Sequence, residues 1–282
     1  MLKALSPGAI GVTTRTLEER VAAARQGFQA VELDIDETVR RVDEGGAESV
    51  LSVMGEIKPA GWGLPVDWRG EESNWRAGLD KLAKQAKAAQ AVGCTRTSTW
   101  ILSGSNDRPM EENRRFHIER FTPIAEILGE HGCSLGLEFL GPKTLREQFK
   151  HEFVYRMEDM LAMGREIGPN VGLLLDCWHW YTSGSTVDDL KKLTAKDVVY
   201  VHVNDAPEGI PLDQQMDGTR CLPGETGVIP IAEFLRVLQD IGYDGAVVPE
   251  PFKKELADLP TDADRLKVVA QGMDKIFSQA GL

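Results

Sequence analysis

The stretch Val171-Gly-Leu-Leu-Leu-Asp-Cys177 is a nearly continuous apolar run with an acidic residue near its end. A second run of this kind, Val198-Val-Tyr-Val-His-Val-Asn204, follows after one short helical segment. Strongly apolar strands that alternate with amphipathic helices imply a parallel sheet that is covered by helices on its outer side. These two runs therefore predict buried parallel strands in the second half of the chain.

The same alternation extends outward along the whole sequence. Six further strands are predicted: Ala9–Val12, Ala30–Leu33, a strand near Lys58–Trp62, Cys94–Trp100, Ser134–Leu140 and Gly245–Glu250. Helices are predicted at about 16–26, 47–56, 72–92, 110–131, 153–167, 187–193, 231–242 and 262–279, with Thr16 as the cap of the first. Eight such units predict an α/β fold, a closed (β/α)8 TIM barrel with residues 1–282 as one domain. No G-x-G-x-x-G or G-x-x-x-x-G-K-[ST] loop follows the first strand, which argues against a doubly wound sheet.

The net charge of the chain and its cysteine content indicate which partners and which cellular compartment to expect. The chain has 282 residues, with 32 Lys and Arg against 44 Asp and Glu, and a net charge of −12. Nucleic acids and anionic membranes both favour basic surfaces, so neither is expected as the main partner. The four cysteines are far apart and form no C-x-x-C pair, which is typical of free thiols in a reducing compartment. No apolar stretch is long enough for a signal peptide or a membrane span, so a cytoplasmic location is expected.

Four polar residues interrupt the apolar strands of the second half, at the ends where a TIM barrel places its chemistry. They are Glu138, Asp176, His202 and Glu250, each between apolar neighbours. Because side chains alternate between the two faces of a strand, all four can point into the mouth of the barrel. One such residue alone is more typical of a strand cap or a loop contact, whereas four on consecutive strands indicate a common site.

These four side chains have the composition of a metal site. Three carboxylates and one imidazole, without a matching cluster of Lys or Arg, would repel one another, and a divalent cation removes that repulsion. Oxygen ligands with one imidazole suit a single Mn²⁺ ion best, with Mg²⁺, Co²⁺ and Zn²⁺ as alternatives.

Two polar residues in loops are candidates for contact with a substrate. His179 lies in the loop after the strand that ends at Cys177, and its alternative role is that of an ordinary surface histidine. Arg220 is the only basic residue in the long loop Asp217–Gly227, and loops of this length in a barrel are usually functional. The alternative for Arg220 is a pair with Asp217 or Glu225 that holds the loop together.

A histidine and several tryptophans complete the candidate set. His151 lies in the loop after the fifth strand, and Trp62 and Trp100 end the third and fourth strands. The two tryptophans are predicted to form an apolar wall against a sugar-like ring, with core packing as the alternative. Trp68 and Trp75 are expected to be exposed and are candidates for the interface of a homo-oligomer.

The ordered set of residues resembles the xylose-isomerase-like TIM-barrel superfamily. The resemblance rests on Glu138, Asp176 with His179, His202, Glu250 and the segment Arg220-Cys-Leu-Pro-Gly-Glu225. Within the superfamily the chain is most similar to the sugar phosphate isomerase/epimerase group, which includes ketose 3-epimerases, inosose isomerases and inosose dehydratases. The resemblance implies a divalent metal on the four strand-end residues. It also implies that Glu138 and Glu250 are the catalytic acid/base pair and that His179 and Arg220 bind substrate oxygens.

The function implied by this resemblance is a metal-dependent isomerase or epimerase of a sugar, sugar phosphate or cyclitol, acting by proton transfer through an enediolate. Two alternatives stay open. Loss of a group β to the carbonyl would make the protein a metal-dependent carbon–oxygen lyase or dehydratase of a keto-sugar, inosose or 3-keto-glycoside. A non-catalytic sugar-binding barrel would use the metal only for structure. In each case the expected partner is a small carbohydrate.

Overall fold

Eight parallel strand positions follow one another around a ring in the computed structural model, which describes residues 1–282. They are β1 (Leu2–Leu5), β2 (Ala30–Val31), β3 (Lys58–Pro59 and Trp62–Gly63), β4 (Arg96–Ile101), β5 (Ser134–Phe139), β6 (Val171–Asp176), β7 (Val198–Val203) and β8 (Ala246–Pro249). Each strand pairs in parallel with the next in the chain, and β1 pairs with β8. The α/β barrel predicted from the sequence is confirmed.

The ring closes through the two short pieces of β3. The first piece pairs with β2 and the second with β4, so the two ends of the sheet meet in one segment. Gly61 lies between the pieces and has no room for a side chain, because an added Cβ would lie 2.7 Å from the ring of Tyr200. Glycine at this position lets the barrel wall approach the side chain that fills the interior.

Eleven helices surround the strands, ten of them between consecutive strands and α11 after β8. They are α1 (Leu17–Ala24), α2 (Ile35–Gly45), α3 (Glu48–Met54), α4 (Glu72–Ala91), α5 (Met110–Glu130), α6 (Lys143–Arg146), α7 (Met157–Ile167), α8 (Cys177–Thr182), α9 (Val187–Leu190), α10 (Ile231–Asp240) and α11 (Asp262–Ala280). The main core is a cluster of 67 buried apolar residues drawn from both strands and helices. It joins the two layers of the fold into one packed unit.

The prediction of the first strand at Ala9–Val12 is wrong. The strand is Leu2–Leu5, which pairs on one side with β8 and on the other with β2. Residues 8–10 form a 3-10 turn instead, and Gly11 follows it with a φ of +73°. A left-handed glycine ends extended structure, so the apolar residues of this segment pack against the barrel without joining it. The predicted cap of the first helix is confirmed, since the Thr16 side chain accepts the Glu19 N–H.

The inside of the barrel holds a second, separate apolar cluster. Its seven members are Ala4, Ala30, Ala60, Leu174, Tyr200, Ala246 and Val248. Four alanines surround one tyrosine, so a single large ring fills the space that the small side chains leave. The Tyr200 hydroxyl donates a hydrogen bond to Glu32 Oε1 at 3.0 Å. Tyr200 therefore combines the packing of the interior with a polar contact above it.

No helix in the chain is long and apolar enough to cross a membrane. The four cysteines are unpaired, as their wide spacing predicted.

Replacement of Tyr200 by alanine should destabilise the barrel more than any other single truncation in the interior cluster. The expected loss is about 3–5 kcal/mol, because the surrounding alanines cannot collapse into the cavity. Tyr200→Phe should cost only about 1 kcal/mol, since it removes one hydrogen bond and keeps the ring. Urea unfolding followed by circular dichroism measures both. Leu51→Ala on the exposed face of α3 is the control, and equal losses for Tyr200→Ala and Leu51→Ala would contradict the packing role of the Tyr200 ring.

Candidate metal centre and active site

The structure brings the four strand-end residues Glu138, Asp176, His202 and Glu250 together. Glu138 lies in β5, Asp176 ends β6, His202 lies in β7 and Glu250 follows the last residue of β8. Each offers a ligand atom, and these atoms all lie within 4.8 Å of one another. Neighbouring parallel strands end at the same edge of the barrel, and this common edge is the reason that residues far apart in sequence converge.

Two atoms of this cluster are buried without a hydrogen-bond partner, as expected of ligands that bind a cation. Glu138 Oε1 and His202 Nδ1 are both buried, and neither makes a hydrogen bond. His202 Nδ1 lies 3.3 Å from Glu250 Oε2 and 3.6 Å from Glu138 Oε1. Buried polar atoms are rarely left without a partner, and three carboxylates with one imidazole are a suitable donor set for a divalent ion.

Asp176 is held in place by neighbouring residues. Its Oδ1 accepts the Trp178 N–H at 2.8 Å and the Asn204 side-chain amide at 3.1 Å, while Oδ2 faces Arg220. Asp176 is also the N-cap of helix α8, so the start of the helix helps to fix the position of its carboxylate. Hydrogen bonds of this kind fix the direction in which a metal ligand points. Asn204 is not among the residues predicted from the sequence, although it directly follows β7 and stands two residues after His202, a spacing that favours the same side of the chain.

Arg220 is the positive counterpart of the acidic cluster. Its side chain is 1% exposed, and Nη1 lies 2.7 Å from Asp176 Oδ2 and 3.2 Å from Glu250 Oε2. Nη2 donates to Asp217 Oδ1 at 2.7 Å. The predicted pair with Asp217 is therefore present, whereas Glu225 instead pairs with Lys253. The predicted role of Arg220 toward a substrate stays a prediction, and the geometry adds a structural role beside it.

His179 lies in the first turns of α8 and not in a loop, and it is 1% exposed. The expectation of a loop position was wrong because the strand passes directly into a helix after Asp176. Nδ1 accepts the Gly141 N–H at 3.1 Å, so a neutral ring carries its proton on Nε2. Burial lowers the pKa of His179, the charge of Asp176 opposes this, and the charge of Arg220 adds to the lowering. Nε2 lies 3.2 Å from Arg220 Nη2 and 3.8–4.0 Å from carboxylate oxygens of Asp217, Asp176 and Glu138.

The pKa values of the two glutamates in the cluster are shifted in opposite directions. Burial raises the pKa of Glu138, contact with His202 opposes the rise, and the charge of Glu250 adds to it. Burial acts the same way on Glu250, but the positive charges of His202 and Arg220 outweigh it and lower its pKa. Two carboxyl groups with unlike proton affinities in one site are suited to opposite roles in proton transfer.

A cavity of about 370 Å³ opens above the cluster. Its polar lining residues are Glu138, His179, Asp217, Arg220 and Glu250, and its apolar ones are Trp100, Leu102, Leu140, Leu145 and Phe252. Trp100 is 44% exposed and lies on the wall, where the sequence predicted a tryptophan. Phe252 was not predicted, and its ring lies 4.6 Å from the Arg220 guanidinium while its φ is +39°. Strained backbone at a bulky residue is commonest at binding sites, but no sequence pattern announces it.

The structure contradicts several of the expected substrate contacts and surfaces. Trp62 is 1% exposed, and its indole donates to the Cys94 carbonyl at 2.9 Å, so it is a core residue and cannot line the cavity. His151 pairs with Ser105 in a two-residue antiparallel strand and lies outside the cavity lining. Trp68 and Trp75 are 3% and 8% exposed, so the expectation of an exposed interface was wrong.

The long loop after β7 is fixed to the barrel by Asp205, which is fully buried. Its Oδ2 accepts the N–H groups of Thr226 and Gly227, at 3.0 and 2.7 Å, and Oδ1 accepts that of Ile229 at 3.0 Å. Its backbone also exchanges two hydrogen bonds with Cys221. Because Cys221 follows Arg220, these contacts place the guanidinium above the acidic cluster.

A family model described as the xylose isomerase-like TIM barrel matches residues 21–278. The chain belongs to the xylose isomerase-like TIM barrel family. This membership agrees with the family resemblance seen in the strand-end residues.

Curated relatives of this xylose isomerase-like barrel are isomerases and an epimerase. It is 32% identical to the inosose isomerase of Halalkalibacterium halodurans over 152 residues, which is 54% of this chain and 51% of the relative. It is 23% identical to the D-psicose 3-epimerase of Agrobacterium fabrum over 158 residues, 56% of this chain and 48% of the relative. The chain thus spans about half the length of the curated relatives that it matches.

Solved structures resemble the barrel over almost its whole length. A xylose isomerase domain protein from Alicyclobacillus acidocaldarius is 28% identical with a TM-score of 0.85, and 99% of each chain is covered. The IolI protein, whose crystal structure holds a zinc atom, is 20% identical with a TM-score of 0.78, again over 99% of each chain.

His202→Ala in this xylose isomerase-like barrel should weaken binding of a divalent ion by at least about tenfold, because it removes the only nitrogen ligand of the cluster. Isothermal titration calorimetry with Mn²⁺ and with Zn²⁺ measures the effect. His131→Ala, at the end of α5, is the matched control and should bind as the parent does. Unchanged affinity in His202→Ala would exclude the cluster as the metal centre.

Asp205→Asn should lower the free energy of unfolding by at least about 2 kcal/mol, because an amide group would face backbone N–H donors with a donor of its own. The loop 205–229 should also become sensitive to limited proteolysis. Asp213→Asn, in the same loop but exposed, is the control. Equal proteolysis of both variants would show that Asp205 does not hold the loop.

Proposed function

We propose that the protein is a divalent-metal-dependent isomerase or epimerase of a small sugar or cyclitol that works by proton transfer next to a carbonyl group. One observation carries the proposal: Glu138 and Glu250 belong to a cluster suited to a metal and face the same cavity. The isomerase and epimerase names of the relatives support it. Mn²⁺ remains the first choice of ion on the donor set, and the zinc atom of the similar IolI structure makes Zn²⁺ the main alternative.

The four residues Glu138, Asp176, His202 and Glu250 would hold the metal. A divalent ion at this position would polarise a substrate carbonyl and make the neighbouring C–H bond more acidic.

The protein's own carboxylates would then move the proton. One glutamate takes the proton from the carbon next to the carbonyl, which leaves an enediolate in the cavity. Return of a proton to the same carbon from the other glutamate, on the opposite face, gives the epimer. Return to the former carbonyl carbon, with transfer of one proton between the two oxygens of the enediolate, gives the aldose–ketose isomer. The unlike pKa shifts of Glu138 and Glu250 suit one of them to donate and the other to accept.

The remaining polar groups of the cavity would orient the substrate. Gly141 occupies Nδ1 of His179, so Nε2 is the ring nitrogen left to contact a substrate oxygen beside Arg220. Trp100 lies on the cavity wall and would stack its flat apolar ring on the C–H face of a sugar ring. Arg220 offsets part of the charge of the acidic cluster through Asp176 and Glu250, and it lines the cavity, where it would contact an anionic intermediate.

Glu138→Gln and Glu250→Gln should each reduce proton exchange with solvent by at least about a hundredfold, because each removes one of the two acid/base groups. The measurement is deuterium incorporation next to the carbonyl, followed by NMR, for a panel of ketoses and inososes in D₂O with Mn²⁺. Metal affinity is measured on the same variants, so that loss of the ion is separated from loss of the base.

Glu130→Gln at the exposed end of α5 is the matched control and should exchange at the parental rate. Full exchange in both active-site variants would overturn the proposal. Release of an unsaturated product by the parent would assign the protein to the lyases. Sugar binding without exchange or turnover would make it a non-catalytic barrel.

A further inference from the structure

A second cavity, of about 260 Å³, lies beside the first and takes no part in the proton transfer. Leu102 lines both cavities. Trp100 lies on the wall of the first cavity. The guanidinium of Arg69, which lines the second cavity, stacks 3.7 Å from the centre of the Trp100 ring. The two cavities are therefore neighbours along a wall made by Trp100 and Leu102.

Two arginines line this second cavity without an acidic partner. Arg69 lies between the rings of Trp68 and Trp100, at 3.9 and 3.7 Å, and Arg108 lies 3.9 Å from the ring of Phe116. Neither guanidinium belongs to an ion pair, and the one hydrogen bond of the Arg69 side chain goes to the Trp100 carbonyl. Stacking on aromatic rings holds both cations in place but leaves most of their N–H groups available.

The acidic residues near this cavity do not neutralise the two arginines. The Asp67 carboxylate accepts the Gly70 N–H at 3.0 Å, and Asp107 is an exposed residue at the rim that forms no ion pair. Partial burial lowers the pKa of Arg69 to about 10, and the charge of Asp67 only partly opposes this. In a chain with a net charge of −12, this is a local concentration of uncompensated positive charge.

Two buried polar side chains of α5 also face the cavity. Asn113 is 4% exposed, and its side-chain amide makes no hydrogen bond within the chain. His117 is 5% exposed, and its Nδ1 lies 2.6 Å from the backbone carbonyl oxygen of Asn113, which can only accept. Nδ1 therefore carries the ring proton, and Nε2 is a free acceptor. Burial lowers the pKa of His117 to about 4, and the charges of Arg108 and Arg69 act in the same direction, so the ring is neutral at neutral pH.

We infer that this second cavity is a subsite for an anionic group, a phosphate or a carboxylate, carried by the substrate at the end away from its reacting carbonyl. The inference rests on the proposed function and narrows its substrate class to acidic sugars or cyclitols. Arg69 and Arg108 supply donors that match a planar or tetrahedral oxyanion. Asn113 adds a neutral donor, and His117 Nε2 accepts a hydrogen bond from the hydroxyl next to the anion.

The test compares D-fructose with D-fructose 6-phosphate and with D-fructuronate, which carry the same keto group with no charge, a phosphate or a carboxylate. Binding to the full chain is measured by calorimetry with and without Mn²⁺, and exchange in D₂O is measured in parallel. At least one acidic sugar should bind at least tenfold more tightly than D-fructose. Arg108→Ala and Arg69→Ala should each abolish that preference. Because Arg69 also stacks on Trp100 of the first cavity, the affinity for D-fructose is compared in Arg108→Ala, where it should stay within about twofold.

Arg115→Ala is the matched control, because Arg115 is the exposed neighbour of Phe116 on the same helix and lines neither cavity. It should keep the full preference. Arg108→Lys should keep part of it, since it retains the charge and loses the planar fork. Circular dichroism and urea unfolding of each variant exclude loss of the fold as the cause.

The outcomes separate the subsite from the proposed function. Equal affinity for all three sugars, or equal loss of preference in Arg115→Ala, would overturn the subsite even if exchange occurs. An arginine-dependent preference in binding, without exchange of any sugar, would uphold the subsite and contradict the proposed chemistry. Tight binding of inorganic phosphate that D-fructose 6-phosphate cannot displace would show a site for free anions and overturn the link to the substrate.

Discussion

A buried guanidinium among carboxylates is the interaction on which the mouth of the barrel depends. Glu138, Asp176 and Glu250 end neighbouring strands and bring three acidic groups into a space less than 5 Å across. Their mutual repulsion and their loss of hydration destabilise this edge unless positive charge offsets them. Arg220 supplies that charge from the loop after β7, and Asp205 holds the loop that carries it. Cluster and loop therefore depend on each other.

The barrel separates packing from chemistry along its axis. Near the centre, four alanines pack around Tyr200, whose hydroxyl donates a hydrogen bond to Glu32. Further along the same strands, polar side chains replace apolar ones, and two of their buried atoms have no hydrogen-bond partner. A metal site requires ligands that rigid strands hold in place and that have no other hydrogen-bond partner, because such ligands cannot rotate toward water. Stability and reactivity thus use different residues of the same strands.

Much of the site could be predicted from the sequence because it lies on the most regular part of the fold. Glu138, Asp176 and His202 interrupt apolar strands whose alternating faces are readable, and core packing disfavours a polar residue at such a position. The errors fall where that regularity is absent. Ala9–Val12 is apolar but forms a turn, and Trp62 ends a strand yet packs into the core. Trp68 and Trp75 follow a short, broken strand, and their burial depends on contacts that no local pattern records.

The sequence by itself determined the barrel and the strand-end residues, since period-two alternation and strand order place those side chains at one edge of a parallel sheet. Only the tertiary structure decided which loop residues join them. Asn204 orients Asp176, Arg220 pairs with Asp176 and Glu250, and Arg69 and Arg108 line one second cavity, because folding brings together segments that are distant in the chain. Loops lack a repeating geometry, so their side chains find their partners only when the whole barrel has closed.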